Sequence, residues 1–525
     1  MTSRTLLGGR VPEVASPSPQ ADRRRRWLTG GEVALAVVLA SLTFVVHNVS
    51  YVLTQPLWLD EAWVADSTRA PLHLVTWLTS STPLGWTLLL RLVPGSGEQR
   101  FRLVTLAFSA LAVLVAYVLG RELRLMRIVT PLLVAASVLL APVLLFDDEL
   151  KQYTAEACAS VVVLLLVARV ETSWSRGRLV ALATVSGFAL LFTNTVIFVG
   201  AAAMASLALV ALAQRRWRNL AEAAVAGAVM LAIQGGIYLA IDKPHQIPSL
   251  AAYWRANYIP HNKGMHAVFS FLRHHGAPVT PYLGFHASVV SLVLALGGIA
   301  TLVRIHRPAL ALTTPLTIVA VMIASTFRKY PFLNLRTSTF WLIMVVVLMA
   351  IGAAGAVHAL QSRNVLMAAA VAVAALGFWC YSTSGYVRST VLPNQNVRAE
   401  IAYFNAHYRS GDILVLGYTT TFEFAYYEPR ITPTYRHVSS LSTGFLPTYP
   451  NVSWIVEVMN NHPAGAITAW HAAQLKAAQH PGARIWIILT RQPAQLLEWH
   501  TLLEGSNASF VSLGGPEPLV LVPNA

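Results

Sequence analysis

The chain has 525 residues, of which 55% are hydrophobic and only 12% charged, with a mean hydropathy of +0.55; a soluble globular chain carries about a quarter charged residues. These values exclude an ordinary soluble enzyme and make a bilayer the solvent. The formal net charge of +15 does not signal nucleic acid, because the arginines fall mainly in short connections between apolar stretches, as membrane insertion requires.

Residues 1–31 are polar and carry the run Arg23, Arg24, Arg25, Arg26, which predicts a disordered basic cytoplasmic tail with an electrostatic stop rather than a cleaved signal. Apolar windows follow at 32–52, 101–120, 127–146, 155–170, 177–193, 196–213, 219–241, 283–303, 309–327, 337–357 and 364–383. Each is near the roughly 20 residues that cross a hydrocarbon core, and together they predict a polytopic α-helical membrane protein of about 11 transmembrane helices over 32–387. The window 155–170 is the weakest. Arg121, Arg124, Arg127, Arg169, Arg176, Arg178, Arg215, Arg216, Arg218, Arg304, Arg307 and Arg363 mark alternate loops as cytoplasmic. This places the protein in the plasma (inner) membrane with its N-terminus inside. Cys158 and Cys380 both lie in apolar windows, which leaves no disulfide framework and no thiolate metal site.

The opposite set of loops is longer. Loop 53–100 is too apolar for a solvated connection and predicts two short interfacial helices broken at Pro83, with Trp58, Trp63, Trp77 and Trp86 at headgroup level. Loop 242–282 interleaves Lys243, Arg255, His261, Lys263, His266, Arg273, His274 and His275 with Tyr253, Trp254 and Tyr258. Without regular ligand spacing it suits an external flap over an anionic or sugar-bearing substrate better than a zinc site. Beyond residue 388, a helical stretch Val397–His407 and short apolar runs at Asp412–Gly417 and Arg484–Leu489 predict a small soluble α/β domain over 388–525 on the extracytoplasmic side.

Three groups of ionisable residues fall on that outer side. Asp60 and Glu61 follow Trp58 and Leu59 at the outer end of the first span; they are either ordinary helix-end acids or a base placed at the bilayer surface. Asp147, Asp148, Glu149, Lys151, Gln152, Tyr153 and Glu156 crowd the outer end of the third span, a density that is costly unless the groups pair or bind something. Arg328, Lys329 and Arg336 break the charge rule by lying outside. Cations in such a place hold an anion, either a lipid headgroup or a substrate phosphate.

The stretch Leu57-Trp58-Leu59-Asp60-Glu61-Ala62-Trp63, then Thr82-Pro83-Leu84 and Leu88–Leu92, then Phe101-Arg102-Leu103, resembles the start of the GT-C superfamily of membrane glycosyltransferases. The branch it resembles holds the protein O-mannosyltransferases and the aminoarabinose lipid A transferases. Lys151-Gln152-Tyr153 with Glu156 is similar to the acid-rich segment of its bacterial members, and the likeness covers residues 30–380. Thr82-Pro83 departs from the proline pair of many bacterial members, and Gly85-Trp86 from a common aromatic pair. The resemblance implies a sugar donor on a polyprenyl phosphate, attack by an extracytoplasmic acceptor hydroxyl, and inversion at the anomeric carbon. Asp60 would be the general base, Glu61 its assistant, and Asp147 or Asp148 the second carboxylate. Lys151, Arg328, Lys329 and Arg336 would hold the donor phosphate, and Arg102, Tyr153, His261 and His266 would contact substrate. No cofactor is required if these cations carry the phosphate charge, although an Asp-rich loop could take Mg²⁺ or Mn²⁺; the metal is left unassigned.

A polytopic transporter or flippase of a lipid-linked or anionic substrate is the alternative. It would place ionisable groups or Gly/Pro breaks in mid-span, whereas the windows are clean apart from Asn194 and Gln234. A third reading makes the membrane region a degenerate transferase and the C-terminal domain a binding module that does the biological work; the domain's placement predicts that it selects or shields the acceptor.

Overall fold

The computed structural model describes residues 29–78, 82–95, 97–146, 149–284, 288–388, 396–438, 441, 443–459, 463–490, 493–513 and 518–523. Most of the tail expected at 1–31, and both Asp147 and Asp148, lie outside the described residues. Among the described residues, seven helices are long and apolar enough to cross a membrane: Gln99–Glu122, Tyr153–Thr172, Val196–Ala213, Trp217–His245, Pro308–Thr326, Leu335–Gln361 and Val365–Tyr386. Met265–Leu283 and Ser288–Arg304 meet at 71° and make an eighth span if counted as one.

The remaining apolar windows are helical but short or broken. Gly30–Ser41 is followed by breaks at Leu42 and at Asn48, whose φ is 47°. Val129–Leu139 stops before Pro142, as the residues ahead of a proline avoid helical geometry. Arg176–Phe188 tightens into a 3₁₀ turn. The expected flap at 242–282 is also shorter, because its second half forms the helix Met265–Val279.

Ahead of the span α4 (Gln99–Glu122) the chain forms three short helices, α1 (Leu59–Ser67), α2 (Leu72–Leu78) and α3 (Leu84–Leu92), rather than two. Trp58, Trp63 and Trp86 are buried in protein, and only Trp77 is exposed; packing against neighbours, not headgroup anchoring, accounts for three of the four. Gly85 lets α3 run against the Leu191 carbonyl, where a Cβ would overlap the oxygen.

Two helices form the centre of the bundle. In α5 (Tyr153–Thr172) 78% of the central window is buried, and in α6 (Leu335–Gln361) 83%, against 17% for Val365–Tyr386. The weakest window is therefore an inner helix, which needs less hydropathy because its neighbours are protein rather than lipid. α6 lies against Ser288–Arg304 along a glycine seam. A Cβ on Gly298 would overlap the Leu348 carbonyl oxygen, and one on Gly352 that of Leu294, so the backbones approach as only small residues allow.

The C-terminal α/β domain begins with α7 (Val397–His407), as expected, and continues through β1 (Ile413–Leu416), α8 (Thr420–Tyr427), β2 (Thr434–His437), β3 (Phe445–Thr448), β4 (Ile455–Glu457), β5 (Ile485–Ile488), β6 (Ser509–Ser512) and β7 (Pro518–Val522). The main sheet has order β4-β1-β5-β7-β6, with β1 parallel to β4 and β5, and β7 antiparallel to β5 and β6; β2 and β3 form a separate hairpin. β1 and β5 are buried at every position, which explains their continuous apolar runs. The domain sits on the end of the bundle that carries α1.

Candidate active site

The site begins with the first turn of α1. Trp58 is extended and caps the helix, and its N–H donates to Glu61 Oε2 at 3.4 Å. Two carboxylates in a first turn suit the positive end of the helix dipole. Because successive helical residues point about 100° apart, Asp60 and Glu61 face different surroundings.

Glu61 turns inward. Its side chain and that of Arg102 are both wholly buried, and they pair at 2.6 Å. Leu150 N–H donates to the other Glu61 oxygen at 3.1 Å, while Arg102 also donates to the carbonyls of Val52 at 2.5 Å and Pro56 at 3.0 Å. Burial pushes the Glu61 carboxyl above its ordinary range, with Arg102 opposing. This pair ties together the end of the first apolar window, α1, α4 and the loop before α5. Arg102, expected as a substrate contact, and Glu61, expected to help the acceptor, thus lie inside the scaffold. Arg102→Met should destabilise the fold by about 3–5 kcal/mol, because it strands a buried carboxylate. The check is the melting temperature in detergent; an unchanged value would show that Glu61 finds another partner.

Asp60 faces away from that pair and keeps a quarter of its side chain exposed. One of its oxygens, Oδ2, receives two cations: Arg336 Nη1 at 3.3 Å and Lys151 Nζ at 3.7 Å. Arg336 stands at the start of α6, and its Nη2 reaches Glu149 Oε1 at 3.1 Å. Both cations rest on indoles, Arg336 Cζ 4.3 Å from the Trp58 ring centre and Lys151 Nζ 4.9 Å from that of Trp63. Residues far apart in the chain are thereby gathered at one end of the bundle. Tyr253, exposed at the end of the helix Pro248–Tyr253, stands close enough for the charges of Asp60 and Arg336 to act on its hydroxyl.

Burial lifts the Glu149 carboxyl from 4.5 to about 8, with Arg336 opposing and the charges of Glu61 and Asp60 adding to the rise. Asp66, on the far side of α1, is lifted by burial to about 7. Both groups bind a proton more tightly in the folded than in the unfolded chain, so stability is fullest below their unfolded values and declines as pH rises toward the folded ones. The melting temperature should fall between about pH 5 and pH 8, and Glu149→Gln should flatten that slope. An unaltered slope would mean that Glu149 is already ionised beside Arg336.

The other expected site residues are placed differently. Tyr153 is buried at the start of α5, one turn from Glu156, whose carboxyl lies beside Gln152 and Thr195. Arg328 and Lys329 are exposed on the turn before Tyr330, and the cations that pair with Asp60 are Arg336 and Lys151 instead. His261 and His266 are exposed, and among the described residues no cluster of three or more His, Cys, Asp or Glu is arranged to hold a metal. Sequence reasoning passed over Glu149 as a site residue and read Trp58 and Trp63 only as anchors. The signal available was an acid-rich segment beside a cation on the wrong side of the charge rule.

This fold is shared with solved structures of other proteins, at low sequence identity. No protein-family model and no curated protein matches the chain. Among solved structures it is similar to ArnT from Cupriavidus metallidurans in the apo state, at TM-score 0.54 and 15% identity over 94% of this chain and 99% of that one. The same protein bound to undecaprenyl phosphate gives TM-score 0.54 at 16% identity, covering 94% and 98%. The archaeal oligosaccharyltransferase AglB from Archaeoglobus fulgidus, in complex with an inhibitory peptide and a dolichol-phosphate, gives 0.50 at 12% identity over 87% of this chain and 69% of that one.

Proposed function

We propose that the protein is an integral membrane glycosyltransferase that moves a sugar from a polyprenyl-phosphate donor to an acceptor hydroxyl. The arginine bias supports the extracytoplasmic face as the side of the reaction, where the C-terminal domain would also lie. The observation that carries the reading is the single Asp60 oxygen shared by Arg336 and Lys151, on a fold whose solved relatives include complexes with undecaprenyl phosphate and dolichol-phosphate.

In the step we propose, the acceptor oxygen bonds to the anomeric carbon as the bond from that carbon to the phosphate oxygen breaks. The electron pair stays on the polyprenyl phosphate, and the acceptor proton passes to Asp60. Arg336 and Lys151 answer the charge that grows on the leaving phosphate, and in turning to it they release the Asp60 oxygen that they hold in the substrate-free state. With two cations already converging on that oxygen, a divalent metal there would meet strong repulsion. We therefore propose that transfer needs none, and addition of a chelator should leave the rate unchanged.

The test is purified protein in lipid vesicles supplied with labelled polyprenyl-phosphate sugars and envelope acceptors. The expected products are a new glycosidic bond and free polyprenyl phosphate. Label that crosses the bilayer still attached to its carrier, with no new glycosidic bond, would replace the transferase with a flippase.

A further inference from the structure

The C-terminal domain touches the acid-bearing helix itself. At the start of α1 the Leu57 N–H, fully buried, donates to the Tyr427 phenol oxygen at 2.7 Å. Mid-helix, Trp63 meets Phe422 with ring centres 6.3 Å apart. In the last turn the buried Asp66 accepts from the Tyr435 hydroxyl at 3.0 Å. Just past the end, Arg69 donates to the Tyr426 carbonyl at 2.6 Å and lies 4.0 Å over the Tyr426 ring. The bundle and domain are joined beside this by the ion pair of Glu98 with Arg398, which also donates to the Thr54 carbonyl at 3.2 Å.

A nine-residue helix flanked by loops has little intrinsic rigidity, since helices shorter than about 12 residues are marginal alone. Here it is gripped at both ends and in the middle. On its other side lie the Glu61–Arg102 pair and the two cations already described. The contacts to α1 itself run along α8 and the β2–β3 hairpin.

We propose that α8 and Tyr435 form a clamp that fixes the register and tilt of α1, so that the C-terminal domain acts on turnover by positioning Asp60 rather than by selecting the acceptor. Tyr427 and Tyr435 are positioning residues, acting through the backbone of α1 and through Asp66. This rests on the reading of Asp60 as the base. A base displaced by about 1 Å can cost as much as 10²-fold in rate, so loosening one contact of several should cost less than that and should spare substrate binding.

The experiment uses the full-length protein with Tyr427→Phe, Tyr435→Phe and both together, each measured for transfer kinetics and for amide hydrogen exchange over residues 57–69. Both substitutions keep the ring and remove only the hydroxyl. The expected result is a fall in kcat of about 10-fold for either variant and more for the pair, with KM for donor and acceptor unchanged and exchange over α1 accelerated. Asp412→Asn serves as control. Asp412 holds Arg484 and Trp486 inside the domain, away from α1, so it should lower the melting temperature while the folded enzyme keeps its kcat. Unchanged kcat and exchange in both tyrosine variants would overturn the clamp, as would a rise in acceptor KM with kcat intact. If Asp60→Asn itself left transfer intact, the assignment of the base would fall instead, and accelerated exchange in the tyrosine variants would still report the clamp.

Discussion

Asp60→Asn is expected to lower the rate of transfer by about 10²–10⁴-fold, the range that a positioned general base supplies. The substitution keeps the volume and one oxygen, so Arg336 and Lys151 retain an acceptor and the helix keeps its packing through Glu61. It removes the only function that we assign to Asp60, taking the acceptor proton. Donor affinity should hold or improve, because the two cations lose a competing negative charge while still facing the phosphate. The measurement is single-turnover transfer beside binding of polyprenyl phosphate; loss of binding in parallel with rate would move Asp60 from proton transfer to ligand holding.

Arg336→Lys is the second large effect, expected to cost about 10²–10³-fold in kcat through weaker stabilisation of the leaving phosphate. The reason lies in shape rather than charge. The guanidinium spans two carboxyl groups, 3.3 Å from Asp60 and 3.1 Å from Glu149, while its plane rests on Trp58. An ammonium cannot make that fork, and it stacks and bridges less well. The substitution should also lower the melting temperature, since Glu149 is left buried with a poorer partner. Full activity in Arg336→Lys would show that a point charge suffices, and Lys151 would then be the principal phosphate ligand.

The multispanning architecture was legible because hydropathy and arginine placement report directly on the bilayer. So was the α/β domain, from Val397–His407 and the runs that became β1 and β5. Windows mark apolar length, however, and do not show where a helix breaks; Asn48 and the Leu140–Ala141 step interrupt two of them. Low hydropathy in 155–170 reported a protein environment rather than a doubtful span. At the site, Asp60, Lys151 and Arg336 could be proposed from the outer-side charges, and the structure brings them together. Arg102 and Glu61 could not be sorted from them, because a buried ion pair and a substrate-binding pair use the same residue types. Only the roughly 100° turn between adjacent helical positions separates Asp60 from Glu61. The roles of Trp58 and Trp63 were hidden for a related reason, since an indole beneath a cation and an indole in a headgroup layer look alike in sequence.

The glycine seam at Gly298 and Gly352 gives this site an unexpected reach. Gly352 and Arg336 share one helix and lie about 24 Å apart along it at about 1.5 Å per residue. With its midsection pinned backbone to backbone, that helix behaves as a fixed mast rather than as a sliding element. One methyl group added deep in the hydrocarbon layer would therefore be felt at the masthead, where the guanidinium waits.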